Sequence, residues 1–472
     1  MKFNSLAFAA FIIVVFAGYW MLGDRRRAQN LYLLVASYVF YGWWNWRYLF
    51  LIAGCSLVNF VSGRIIYAST NRWIRRFALT VCCVVCLGTL CYFKYCNFFI
   101  ESFVSLLATF GVEWNIGVLN VLLPVGISFF TFQALSYTID IMLGKLKPTR
   151  DGIEFFVFIS FFPQLVAGPI ERATNLLPQF QRERRFDFDA ATHGLCLVAY
   201  GLFKKMVVAD TLALYVDKVF SMPELYSSIT CAIGAFFFSI QIYCDFSGYS
   251  DCARGIARLF GFSLMQNFDR PYLATNFINF WRRWHISLST WFKDYVYIPL
   301  GGSRGGLSKT IRNVWIVFLL SGLWHGAAWT FVAWGALHAL FQTGNIFARK
   351  FLSEKKKLGL LRRIVSVVGV NIAVTFAWIF FRSSSFADLS KYMKVLLSGK
   401  FTTSMMGLCA GMGPMVFAVC ILAILLLALS YCCPRDYLFK TTKARFLFTI
   451  ACISAIVFIG MPSGGEFIYF QF

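Results

Sequence analysis

Long apolar runs separated by short basic clusters set the pattern of this chain. A segment crossing lipid must satisfy its own backbone, as a helix does, and about 20 residues span a hydrocarbon core of about 30 Å. Runs that fit lie near 5–22, 31–66, 77–99, 117–143, 153–170, 191–220, 229–247, 311–348, 364–381, 411–432 and 446–461. The second reads as two helices parted at Trp43-Trp-Asn-Trp-Arg47. The pattern predicts an all-α polytopic membrane protein with roughly 11–12 transmembrane helices. By charge bias, Arg25-Arg-Arg27, Arg64 to Arg76, Lys145 to Arg150, Arg182 to Arg185, Arg349 to Arg363 and Arg435 to Arg445 belong on the cytoplasmic side. These clusters do not alternate cleanly with the spans, so some segments are predicted to re-enter or lie at the interface.

Breaks inside the runs point the same way. Leu123-Pro-Val-Gly-Ile-Ser128 and Phe162-Pro-Gln-Leu-Val-Ala-Gly-Pro169 place proline and glycine among apolar residues, freeing backbone groups that lipid cannot satisfy. Gln133, Tyr137, Asp140, Gln164 and Glu171 flank them and read first as interhelical hydrogen-bonding groups. Asp245 and Asp251, in Gln241-Ile-Tyr-Cys-Asp-Phe-Ser-Gly-Tyr-Ser-Asp251, either pair with Arg254 or Arg258 or belong to a site wall with Tyr249.

Composition confirms the solvent. With 59% hydrophobic and 14% charged residues and a mean hydropathy of +0.67, there is too little polar surface to cover a soluble globule. The net charge of +23 falls in clusters between apolar runs, so it fits membrane topology and anionic headgroups, and no nucleic acid partner is expected. Of the 15 cysteines, Cys82, Cys83, Cys86, Cys91 and Cys96 share one apolar run and read as small apolar residues. Cys83-x-x-Cys86 has no second pair or spaced histidine, so no metal is expected. The apolar Leu6 to Trp20 lacks a small-x-small cleavage site and reads as an uncleaved first helix.

Candidate chemistry concentrates between Asn267 and His338. Residues 254–312 carry nine basic side chains against two acidic ones, which suits a phosphate-bearing ligand. Arg282, Arg283 and Arg304 are the candidates to hold it, with Asp245, Tyr249 and Asn279 as orienting groups. Trp281, Trp284, Leu288 and Trp291 recur at helical spacing, predicting an amphipathic interfacial helix with His285 beside its stripe. Gly301-Gly-Ser-Arg-Gly-Gly306 reads as a flexible turn or an amide cradle for phosphate. The run 311–348 would be about 57 Å long as one helix, so a break is predicted at Gly326-Ala-Ala-Trp329, with His325 at a buried helix end. A buried neutral imidazole there serves either as a hydrogen-bonded interhelical group or as a base toward an alcohol. His338, 13 residues on, is expected to be a packing residue.

Trp281-Arg-Arg-Trp-His285, Trp324-His325-Gly326, Asp245-Phe-Ser-Gly-Tyr-Ser-Asp251, Phe162-Pro-Gln-Leu-Val-Ala-Gly-Pro-Ile-Glu171, the opening Phe3-Asn-Ser5 and the closing Phe467-Ile-Tyr-Phe-Gln-Phe472 together resemble the bacterial membrane-bound O-acyltransferases. The likeness is greatest to the alginate O-acetyltransferase branch. It runs over nearly the whole chain, which implies a single membrane domain over 1–472 with its catalytic region at about 240–345, and helices ringing a central funnel. It also implies that His325 is catalytic and His285 a second functional position. No permanently bound cofactor is implied, the acyl donor being acetyl-coenzyme A or another cytoplasmic thioester. The acyl group would cross the bacterial cytoplasmic (inner) membrane toward an exported SGNH-hydrolase-like acetyltransferase partner and a cell-surface polysaccharide. D-alanyl transfer to teichoic acid from a carrier protein is the alternative, and lipid or polysaccharide transport the alternative of another class.

Overall fold

The computed structural model describes residues 1, 3–114, 117, 119, 122–351, 359–432, 441–461 and 467–468. Lys355 to Lys357, Arg435 and most of the closing segment, all invoked above, lie outside the described residues. Among the described residues all regular structure is helical. Local caps start several helices, such as the Ser5 hydroxyl accepting from the Phe8 amide at 3.2 Å and the Asp151 carboxylate accepting from Ile153 at 2.8 Å.

The chain forms two units. The first comprises Met1–Gly194 and Ile256–Met265, the second Leu195–Gly255 and Gln266–Phe472. In the first, α1 (Leu6–Met21), α2 (Arg26–Gly42), α3 (Tyr48–Ala68), α4 (Arg72–Leu90), α5 (Cys96–Thr109), α6 (Ile127–Met142), α7 (Gly152–Ser160), α8 (Phe162–Leu165) and α9 (Ala173–Phe180) follow in order. The split at Trp43 to Arg47 and the break before Pro163 stand where the sequence puts them. Gln133 and Gln164 both donate to the Phe158 carbonyl, at 2.7 and 3.1 Å, so these intramembrane amides do bond between helices. Glu171 accepts from Asn175 at 2.8 Å and from the Met265 amide.

The second unit begins within α10 (Phe188–Leu202), passes a π-helical stretch (Phe203–Ala209) into α11 (Asp210–Ser221), and contains most of the 32-residue α12 (Ser228–Leu259). Then come two short helices, α13 (Phe277–Trp281) and α14 (Ile286–Phe292), and two long ones, α15 (Leu307–His325) and α16 (Trp329–Phe351). The run 311–348 is thus broken at Gly326, as its length demands. The remaining helices are α17 (Leu360–Arg382), α18 (Phe386–Leu396), α19 (Met405–Leu408), α20 (Pro414–Cys432) and α21 (Thr442–Ile459).

Six helices among the described residues are long and apolar enough to cross a membrane, the longest running Arg72–Thr109 as α4 and α5 joined through a π-helical stretch at Cys91–Tyr95. That is fewer than the 11–12 read from the sequence. Other apolar runs hold shorter helices, two in 153–170 and one of 16 residues in 117–143. These helices make this an all-α polytopic membrane protein.

Lipid supplies little drive for helices to associate, so close backbone approach matters more than in water. Between α15 and α16 that approach is made by glycine. A Cβ on Gly322 would lie 2.3 Å from the Phe331 carbonyl oxygen, and one on Gly335 would lie 2.3 Å from that of Phe318. Gly335→Ala is therefore expected to push the two helices apart, costing about 1–3 kcal/mol or more, and to lower the thermal midpoint of the detergent-purified protein. An unchanged midpoint would show that the contact is not tight.

Candidate active site

The tryptophan stripe predicted to lie on one helix is divided, with Trp281 ending α13, Leu288 and Trp291 in α14, and Trp284 in the turn between them. Backbone pairing is the reason. The Asp269 amide donates to Arg283 O at 2.9 Å and the Ile286 amide to Asn267 O at 2.9 Å, so the segment 267–269 lies along 283–286 and takes a hydrogen bond that a continuous helix would keep. His285 and Arg270 accordingly hold left-handed backbones, φ 43° and 45°, a strain of about 1–3 kcal/mol each in residues with a Cβ. All four stripe residues are nevertheless buried, so the apolar periodicity is real and only the helix is not continuous.

Asn267 organises this break. Its side-chain oxygen faces three donors, His285 Nδ1 at 3.2 Å, the Ser287 amide at 3.1 Å and the Ser287 hydroxyl at 2.9 Å. Because that oxygen only accepts, Nδ1 of His285 carries the proton and Nε2 the lone pair. The ring is fully buried against Phe246, 4.7 Å between centroids, and burial pushes its pKa down to about 3, so it is neutral at pH 7.

His325 is the last residue of α15 and 3% exposed. Its ring lies 6.2 Å from that of His285, with Trp324 at 5.0 Å, Trp334 at 5.0 Å and Phe381 at 5.4 Å. The two histidines that the sequence ranks highest are thus brought together in an aromatic shell, where charge is poorly screened.

One turn before His325, Ser321 lines a cavity of about 350 Å³. Its wall is mostly apolar, with Trp281, Leu288, Phe292 and Phe318, and Arg282 and Lys293 supply its positive charge. Gln342, Ser289 and Thr290 add hydrogen-bonding groups. An apolar slot with a cationic side, ending one helical turn from an imidazole, is suited to a long ligand with an anionic end and a reactive end.

The membrane-bound O-acyltransferase family matches residues 149–387, half of the chain. The probable alginate O-acetylase AlgI of Azotobacter vinelandii is 39% identical over 391 residues, 82% of this chain and 76% of that protein. This chain belongs to the membrane-bound O-acyltransferase family. The peptidoglycan O-acetyltransferase of Helicobacter pylori is 35% identical over 83% of this chain and 79% of its own length. The teichoic acid D-alanyltransferase of Bacillus subtilis is 26% identical over 51% of this chain and 63% of its own. The protein is an O-acyltransferase, and the transporter reading gives way to an enzyme.

The other residues singled out in this acyltransferase separate. Arg282 reaches the cavity. Arg283 instead donates to the Asp269 carbonyl at 3.4 Å, and Asn279 sits in α13, its amide capped by Asn276 at 2.8 Å. Arg304 is exposed in the glycine turn, where the amides of Gly301 and Gly302 donate back to the Ile298 and Tyr297 carbonyls and that of Arg304 to Gly301, so these three amides are already engaged. Tyr249 packs on Phe467, 4.9 Å between rings. Asp245, offered as an orienting group, has its carboxylate engaged by Lys205 at 2.6 Å and the Ile468 amide at 2.7 Å. Asp251 meets Lys204 at 2.6 Å and Arg254 at 3.2 Å, so the ion-pair reading holds for both carboxylates, with lysines as the main partners. Gly201 and Gly248 permit this, since a Cβ on either would lie within 2.7 Å of the other's carbonyl oxygen. Lys293 and Asn267 were not singled out. Lys293 stood in the basic count without a role, and Asn267 marked only the start of the motif.

Replacing Asn267 by alanine removes the acceptor that sets the His285 tautomer. Initial-rate kinetics on membranes carrying Asn267→Ala should show kcat lowered roughly tenfold or more with donor KM little changed. Wild-type kcat would mean that the His285 tautomer is immaterial.

Proposed function

We propose that this acyltransferase moves an acetyl group from a cytoplasmic thioester, acetyl-coenzyme A or a carrier-bound equivalent, across the cytoplasmic membrane for O-acetylation of an exported cell-surface polysaccharide. The observation that carries the reading is the buried His325–His285 pair, one turn from a cavity flanked by Arg282 and Lys293. The alginate O-acetylase and peptidoglycan O-acetyltransferase relatives support acetyl and polysaccharide together. D-alanyl transfer is the weaker alternative because that relative matches over much less of the chain.

In this mechanism the donor's phosphates rest by Arg282 and Lys293, and its thioester reaches toward His325. His325 takes the proton of an acceptor hydroxyl, and the oxygen attacks the thioester carbonyl. The tetrahedral intermediate collapses, the carbon–sulfur bond breaks, and the imidazolium returns its proton to the leaving thiolate. General-base assistance of this kind contributes roughly 10²–10⁴-fold. His285, neutral and tautomer-fixed, accepts a hydrogen bond at Nε2 from the acceptor hydroxyl. A separate exported hydrolase-like protein receives the acetyl group on the far side and passes it to the polymer.

His325→Ala should abolish acetyl transfer from radiolabelled acetyl-coenzyme A while leaving expression intact, with His285→Ala impaired and His338→Ala active. A purified His325→Ala variant working at the wild-type rate would end the mechanism. Charge reversal at Arg282 and Lys293 together should weaken donor binding, the more so as salt is lowered and screening fades. Unchanged donor affinity in that folded double variant would assign both charges to topology alone.

A further inference from the structure

Thr330, Trp334 and His338 fall at i, i+4 and i+8 of α16, on one face of the helix. Thr330 is 1% exposed and the other two are fully buried. Each carries a polar atom with no hydrogen-bond partner among the described residues: Thr330 Oγ1, Trp334 Nε1 and His338 Nε2. The other nitrogen of His338 accepts from Trp281 Nε1 at 3.3 Å and fixes that ring. The Trp334 ring stands 5.0 Å from that of His325 and is stacked on Trp378 at 5.6 Å, with Phe381 at 5.3 Å.

A buried indole N–H nearly always finds an acceptor, and leaving one unsatisfied costs about 1–3 kcal/mol. Phenylalanine would fill most of the same aromatic space without that cost. Tryptophan at 334 is thus a poor choice for packing and a good one if an acceptor arrives with the substrate. Thr330, the second residue of this 23-residue helix, sits where the helix end is positive and favours an anion.

We propose that the Trp334 indole N–H, assisted by the Thr330 hydroxyl one turn earlier, stabilises the oxyanion of the acyl-transfer step at His325. This inference rests on the thioester mechanism given above. As the acceptor oxygen bonds to the carbonyl carbon, the carbonyl π pair moves to its oxygen, which becomes the alkoxide facing Trp334 Nε1–H. When the carbon–sulfur bond breaks, that pair re-forms the carbonyl. The donor is fixed before the charge develops, and in an aromatic shell such a bond is worth far more than in water.

The test is Trp334→Phe in the full-length protein in membranes, assayed with acetyl-coenzyme A beside His325→Ala. The expected result is a kcat about 10²–10³-fold below wild type, an unchanged donor KM and a thermal midpoint equal to or above wild type. Thr330→Val should lower kcat less. Should Phe at 334 disturb folding, benzothienylalanine incorporated there keeps the ring shape and lacks the N–H, and the same kcat loss is expected. A folded variant of either kind with wild-type kcat overturns the assignment. If it does so while His325→Ala is inactive, only the oxyanion role falls; if His325→Ala is also active, the base mechanism falls with it.

Discussion

Lys205 lies between two carboxylates, 2.8 Å from Asp210 and 2.6 Å from Asp245, in a chain whose surroundings offer charge no water. Taking an ion out of water costs several kcal/mol even after relaxation, so such a group persists only when paired from within. Lys204 repeats the device with Asp251 and Ser247. The two lysines are neighbours on the π-helical stretch, and their partners lie on α12 and α11, so a short ionic seam ties three elements that apolar contact alone would hold weakly in lipid. From α12 the effect reaches the chemistry, since Phe246, next to Asp245, packs against His285. Removing Lys205 would take the shared cation from two buried carboxylates at once, at a cost of about 3–5 kcal/mol.

The histidine pair is held by a different logic, in which backbone choices do the positioning. His285 is placed by a left-handed turn and a short extended pairing, and His325 by the end of a helix whose neighbour approaches through glycine. Both arrangements are locally unfavourable or permissive, and both are fixed by tertiary contacts around them. That is the usual cost of setting a side chain where no regular element would put it.

The break at Gly326, the burial of His325, the packing role of His338 and the split after Gly42 were all legible, because each follows from span length or from a glycine or proline. The tryptophan periodicity foretold which residues are buried and not that the backbone turns at His285, since side-chain spacing carries no information on φ. Asp245 and Asp251 were expected to pair near at hand with Arg254 or Arg258. Only Arg254 does so, while Arg258 bonds His193 Nδ1 at 2.6 Å and the lysines come from about 40 residues upstream. Asn267 was invisible as an orienting group for a related reason, its partners being 18 and 20 residues away across a pairing that no local rule announces. Hydropathy marks the apolar runs and not the ends of the helices inside them, so the run 153–170 holds two short helices that its composition alone does not separate.

The cavity beside Ser321 has room, at about 350 Å³, for on the order of ten water molecules. Its walls are mainly hydrocarbon and indole, so a ligand that fills it replaces solvent with apolar contact along most of its length. Association of a ligand that fills it will then carry a negative heat-capacity change, the thermodynamic mark of drying, whatever charge that ligand bears outside the cavity. The same drying lowers the local dielectric around His325 at the moment the substrate arrives, so the site becomes most responsive to charge only when there is charge to be made.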